Sequence, residues 1–218
     1  MRIWFIRHGE TDWNVQHLYQ GCTDIPLNEN GRELARLTGK GMQNISFDLC
    51  ITSPLVRAVE TAALILKENR FYPAEKALIP WPGGTLGEHF GIRFYTDERI
   101  KEICFGSWEG LCFQGPGYNL PLHRFSSIWD DLYDEETPEG AERKLDMVKR
   151  VSAFLDALAE RFGSTDCKIL IVSHGGVCRA LNYILEGDIR TPTKNCSAAV
   201  LDYDAANGYH IAERRVFA

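Results

Sequence analysis

Two histidines each end a short apolar run and are each followed by glycine. His8 comes after Ile3-Trp4-Phe5-Ile6-Arg7 and before Gly9; His174 comes after Ile169-Leu170-Ile171-Val172-Ser173 and before Gly175-Gly176. A histidine at the carboxyl end of a buried strand stands where open α/β sheets place their ligand crevices. Two such strands lying side by side bring both imidazoles into one pocket. Beside the Arg7 guanidinium, His8 resists protonation and keeps a nucleophilic nitrogen near pH 7. Arg7 itself offers planar, forked donors that suit phosphate oxygens. Arg57 falls in the first turn of a helix opened by Ser53-Pro54, where a cation is unfavourable unless an anion binds beside it. Glycines at 175 and 176 allow the backbone to approach a ligand closely. Release of an alkoxide from a phosphate ester also needs a proton donor, and the candidates are Glu102 and Glu109, in Lys101-Glu102-Ile103-Cys104-Phe105-Gly106-Ser107-Trp108-Glu109-Gly110. Their spacing does not choose between them.

Rival chemistries fail on spacing. No cysteine has an arginine six positions on, as a cysteine-based phosphatase needs, and neither a Walker phosphate loop nor G-x-G-x-x-G is present. A metal held by His8, His174 and Glu102 is disfavoured, because the cationic and donor-rich groups around them repel a cation. No metal or cofactor is expected.

The elements that must position these groups read as alternating strands and helices. Strands are expected over 2–7, 47–52, 77–79 and 168–172, with a final pair near 197–203 and 209–214 joined at Asn207-Gly208. Helices are expected over 29–43 with Asn28 as N-cap, from Ser53-Pro54 onward, over 140–162, and over 176–185. The pattern predicts an α/β three-layer sandwich, a mainly parallel sheet with helices on both faces, and a small irregular cap. Residues 81–95, following the breakers Pro80 to Gly84, read as an inserted loop; 111–138 read as irregular with a short helix near 123–133.

With 218 residues, 44% hydrophobic and 25% charged, the chain suits one domain with its own core. A net charge of −6 argues against a nucleic-acid face. No transmembrane run or signal peptide is found, so a cytoplasmic location and no membrane partner are expected. The odd count of seven cysteines, without C-x-x-C, reads as reduced, buried thiols.

Taken together, Arg7-His8-Gly9-Glu10-Thr11, Trp13-Asn14, Gln20-Gly21, Asp24-Ile25-Pro26-Leu27, Gly31, Ser53-Pro54-Leu55 with Arg57-Ala58 and Glu60-Thr61, Glu102 with Gly106 to Gly110, Pro138-Glu139-Gly140 and Ser173 to Gly176 resemble the histidine phosphatase superfamily in its phosphoglycerate mutase-like branch. The resemblance covers nearly the whole chain. It implies His8 as the nucleophile that becomes phosphohistidine, and Arg7, Arg57 and His174 as phosphoryl ligands aided by Asn14, Gln20 and Gly21. It also implies Glu102 as the general acid/base, leaving Glu109 a supporting role. The activity implied is that of a histidine acid-type phosphatase, a phosphoric monoester hydrolase binding a small phosphorylated substrate or inorganic phosphate.

Departures from the family pattern concern the substrate. His17 and Leu18 stand where many relatives carry arginine, and 111–138 offer only His123 and Arg124 among Asp130, Asp131, Asp134, Glu135 and Glu136. A doubly anionic phosphoglycerate would be poorly received, which favours a phosphatase for a small or moderately hydrophobic ester. The alternatives are a cofactor-dependent mutase and a catalytically idle phosphate-binding module. Trp81, Phe90, Phe94 and Tyr95 are candidates for an apolar substrate wall, with Arg124 beside it; equally, 81–95 can be a surface insertion packed on itself. A dimer is compatible with the sequence, which carries no further signal about assembly.

Overall fold

The computed structural model describes residues 1–72, 79–120, 129, 132 and 137–217. The first strand, β1 (Arg2–Arg7), is buried through Ile3 to Ile6 and lies parallel to β5 (Lys168–Ser173), with Arg7 opposite Ser173. That register places His8 beside His174. On its other side β5 pairs in parallel with β2 (Leu49–Thr52), and β2 with β4 (Ile92–Thr96). Antiparallel strands close both edges: β3 (Thr85–His89) beside β4, then β6 (Ser197–Asp204) beside β1 and β7 (Gly208–Val216) beside β6. The seven-stranded order is β3-β4-β2-β5-β1-β6-β7. The sheet therefore has a four-strand parallel centre; β2 is buried along its length, and β1 and β5 are buried and apolar from Ile3 to Ile6 and from Ile169 to Val172.

Alternation along β1 sorts the two layers. Ile3 and Phe5 face α4 (Lys144–Phe162) and α5 (Gly175–Glu186), packing with Met147, Val151, Phe154, Leu158, Val177 and Leu181. Trp4 and Ile6 face α3 (Val56–Lys67), packing with Ala58, Ala62 and Ile65. α2 (Glu29–Gly41) covers α3 through Ala35 and Leu64, and its N-cap is Asn28, whose side chain accepts from the Gly31 amide. A short helix, α1 (Asp12–Val15), is closed by a reciprocal Thr11–Asn14 cap.

Several boundaries differ from those expected. α4 starts at Lys144 rather than 140, because Gly140 takes a positive φ of 74° and Ala141 instead pairs with Phe105. α3 starts at Val56 rather than at Pro54; its first free amide, that of Val56, donates to the Asp24 carboxylate at 2.7 Å. Residues 81–95 are not an inserted loop: they carry Trp81 into the core and then form the β3–β4 hairpin. The expected strand at 77–79 and helix near 123–133 fall mostly outside the described residues, and His123, Arg124, Asp130, Asp131, Asp134, Glu135 and Glu136 all lie outside them. The cysteines also depart from expectation: Cys22 and Cys104 form a disulfide, while Cys50, Cys112, Cys167, Cys178 and Cys196 are free and buried. Among the described residues no helix is long and apolar enough to cross a membrane.

Candidate active site

The carboxyl ends of β1, β5 and β2 open into a cavity of about 510 Å³ whose wall includes Arg7, His8, Asn14, Gln20, Gly21, Arg57 and Glu102. His8 and His174 are buried with ring centroids 5.1 Å apart. His8 Nδ1 lies 2.6 Å from the Gly9 carbonyl. A carbonyl only accepts, so Nδ1 carries the proton and Nε2 keeps its lone pair. Burial holds the His8 pKa well below 6.5, reinforced by the Arg57 and Arg7 charges and opposed by the Gly9 bond. His174 is lowered in the same way, by burial first and then by Arg57 and His8. Its Nε2 sits 2.6 Å from Ser53 Oγ, and it stands beside His8 rather than on the cavity wall.

Each cation is aimed by backbone carbonyls. Arg57 is fully buried and donates to Gly21 and Thr23 carbonyls at 2.8 and 2.9 Å. Burial pulls its pKa down to about 10, against the pull of Glu102. Arg7 donates to the Thr193 carbonyl at 2.5 Å and is likewise lowered by burial. Among the described residues, five buried side-chain atoms lack a hydrogen-bond partner, and four of them, Arg7 Nε, Arg57 Nε, His174 Nδ1 and Gln20 Oε1, belong to residues brought together here. Three of these four are on groups that can donate to an anion, and such orphaned polar atoms are costly unless a ligand satisfies them.

Glu102 is separated from Glu109 by its surroundings. Its carboxylate accepts from the Gly176 amide at 3.1 and 3.2 Å and from Ile103 at 3.0 Å, and it reaches the cavity. Gly176 is needed there, since a Cβ would stand 2.4 Å from Glu102 Oε1. Glu109 instead accepts from the amides of Cys22, Thr23 and Phe105, and from the Thr23 hydroxyl. Gly21, at φ 52°, lies so close that its Cβ would fall 2.1 Å from the Glu109 carboxylate. Glu109 is thus the buttress of the loop that aims Arg57.

The aromatic wall is not the one expected. Trp81 is buried against Phe154 and Phe162 and donates to Asp97; Phe94 is buried on the α3 face; Tyr95 packs on the core; Phe90 is exposed at the β3–β4 turn. None borders the cavity. Because β4 runs parallel to β2, the turn that precedes it lies at the end of the sheet opposite the two histidines. The wall comes instead from Tyr19, Phe105, Trp108, Phe113, Tyr118 and Trp129. Tyr19 is its centre, 4.5 Å from Phe105 and 4.8 Å from Phe113 between ring centroids. Two further residues were not foreseen. Asn195 donates to the His8 and Gly9 carbonyls at 2.9 and 3.0 Å, and Arg179 lines the cavity. Among the described residues the one three-member cluster with metal-ligand types is Cys22, Cys104 and Glu109. It does not suit a metal, since the sulfurs are bonded to each other and Glu109 already accepts amide protons.

Two neighbouring histidines, two buried arginines and a carboxylate thus share one cavity at the carboxyl ends of the central strands. The histidine phosphatase superfamily (branch 1) matches residues 3–78 and 84–212, and the chain belongs to that superfamily. It is similar to a phosphatase described as uncharacterized, PhoE of Bacillus subtilis (strain 168), with 31% identity over 180 residues, 82% of this chain and 74% of that one. It is similar also to the 2,3-bisphosphoglycerate-dependent phosphoglycerate mutase of Methylobacterium sp. (strain 4-46), with 32% identity over 184 residues, 83% and 78% of the two chains. A phosphoglycerate mutase structure from Bacillus anthracis str. Sterne superposes with a TM-score of 0.74 at 25% identity, covering 99% of this chain and 92% of that one. The superfamily thus places the chain among phosphatases and phosphoglycerate mutase-like enzymes.

Proposed function

We propose that this protein hydrolyses phosphomonoesters without a metal, through a phosphohistidine on His8, and that its substrates are small esters with a moderately hydrophobic or aromatic alcohol. The observation that carries the reading is the His8 tautomer: the Gly9 carbonyl holds the Nδ1 proton, leaving Nε2 unprotonated within a ring of cations. His8 Nε2 attacks phosphorus in line with the departing oxygen. Arg7, Arg57 and His174, with Asn14, Gln20 and the Gly21 backbone, bind the equatorial oxygens, whose charge they meet without reorganising. Glu102 passes a proton to the leaving alkoxide. It then removes one from the water that attacks the phosphohistidine, returning His8 to its neutral form. Phosphate alone fills a small part of the cavity, so the aromatic wall is available to the alcohol half of the ester.

A mutase is the second reading, and Arg179 favours it: a cation on the same wall suits a second acidic group on the substrate. A panel of aryl, alkyl and carboxylated phosphomonoesters, assayed in chelator, separates the two. Phosphate release that survives chelation and is blocked by vanadate is expected. Interconversion of phosphoglycerates stimulated by bisphosphoglycerate, with little phosphate release, would transfer the assignment to the mutase. Stoichiometric phosphate binding without turnover would leave an idle binding module.

A further inference from the structure

The cysteines divide into two populations. Five are buried, and burial pushes the Cys50, Cys178 and Cys196 thiols up, Cys178 and Cys196 to about 12. Thiols so poorly ionised are inert in exchange chemistry. Cys22 and Cys104 are only half-buried and are joined across 82 residues of sequence, with Cα atoms 4.8 Å apart.

Their position is what matters. Cys22 follows Gly21 and precedes Thr23, the two residues whose carbonyls aim Arg57. Cys104 lies two residues after Glu102, and Cys22 Sγ approaches the Glu102 carbonyl at 3.7 Å. The bond therefore ties the loop that orients a phosphate-binding arginine to the segment that carries the proton donor. Glu109 bridges the same two segments by hydrogen bonds, from Cys22 and Thr23 on one side and Phe105 on the other. With the disulfide open, that carboxylate still holds the loops near each other, so the pair can close again without refolding. What opening removes is the covalent strut beside Glu102.

We propose that Cys22–Cys104 is a thiol–disulfide modification site, opened by low-molecular-weight thiols and closed by low-molecular-weight disulfides, whose closed form holds Glu102 in place for proton transfer. In opening, one external thiolate attacks a sulfur of the pair and forms a mixed disulfide. A second external thiol displaces the protein thiol, so two protein thiols and one external disulfide result. Closing is the reverse, with the external disulfide as oxidant and two external thiols released. The effect on turnover rests on the role given to Glu102 above; the exchange chemistry does not.

The test uses the full chain equilibrated in glutathione buffers of graded thiol-to-disulfide ratio, quenched with N-ethylmaleimide, digested and mapped. Cys22 and Cys104 are expected to titrate together, with the five buried cysteines unlabelled until the protein is denatured. Across the same series, kcat/KM for an alkyl phosphate, a poor leaving group that needs the proton, is expected to fall about 10-fold on opening. For 4-nitrophenyl phosphate, whose leaving group needs little help, the fall is expected to stay below about 3-fold. Cys22→Ser and Cys104→Ser should both show the low alkyl phosphate activity at every ratio. Failure to find the cross-linked peptide at any ratio overturns the site, and equal alkyl phosphate activity in the open and closed forms overturns its effect on Glu102. If no phosphomonoester is turned over in either form, the hydrolase reading falls, and the peptide map alone decides the modification site.

Discussion

Gly176→Ala isolates the positioning of Glu102. The new methyl carbon would stand 2.4 Å from Glu102 Oε1, with Ile103 Cγ2 at 3.1 Å and Trp129 at 3.2 Å closing the other directions. A non-bonded carbon and oxygen approach no nearer than about 3.3 Å, so the carboxylate must retreat by about 1 Å. In retreating it loses the Gly176 amide bonds of 3.1 and 3.2 Å. A misplacement of about 1 Å at a reacting group costs on the order of 100-fold in rate, or about 2.7 kcal/mol of transition-state stabilisation. The fold should tolerate the change, because alanine in a helix is favoured over glycine by about 0.5–1 kcal/mol, which offsets part of the local strain. Steady-state kinetics on an alkyl phosphate should show the loss in kcat/KM, and 4-nitrophenyl phosphate a much smaller one. Alkyl phosphate activity within a few-fold of wild type, in a variant with an unchanged melting temperature, would refute the assignment of Glu102 as proton donor.

Other expectations follow from the same geometry. Glu109→Ala leaves three backbone amides without their acceptor, each worth about 1–3 kcal/mol, so calorimetry should find a destabilisation of several kcal/mol together with weaker phosphate binding; a variant as stable as wild type would remove Glu109 as the buttress. His8 and His174 are held neutral by burial when folded but take up protons near pH 6.5 when unfolded. The unfolded state then binds more protons, so stability present at neutral pH is lost as pH falls below 6.5, by up to about 1.4 kcal/mol per pH unit for each histidine. Denaturant titrations at pH 7 and 5.5 measure this, and His8→Asn should lessen the slope; an identical slope in the variant contradicts the cause given. Phe113 is 38% exposed and lies tilted against Tyr19. Phe113→Ala should raise KM for aryl phosphates about 3- to 10-fold while leaving small alkyl phosphates unchanged; equal changes for both would disconnect this wall from substrate choice.

The candidate site was legible because its parts obey local rules. β1 and β5 are continuous apolar runs, and parallel pairing turns a shared position at their ends into neighbouring histidines. Arg57 was legible as a cation in a first helical turn. The aromatic wall was not, because 111–120 has no period of 2 or 3.6 to say which rings turn inward, while Trp81 and Phe94 are spent on the core. The β3–β4 hairpin was hidden by the breakers before it, whose glycines and prolines look the same before a strand as within a loop. Asn195 acts on His8 from 187 residues away, and Cys22 meets Cys104 across 82. No local pattern encodes such meetings; they exist only once the sheet is assembled. The α4 start was misplaced for a similar reason, since Ala141 is drawn from the helix by its pairing with Phe105.

The proposed hydrolysis requires that His8 Nε2 become phosphorylated during turnover. Rapid quenching of the protein with a ³²P-labelled phosphomonoester, followed by peptide mapping at alkaline pH, tests it directly. An acid-labile label on the peptide that contains His8, attached at Nε2, is expected, with no label in His8→Ala. A label on any other residue, or one that persists in His8→Ala, contradicts it.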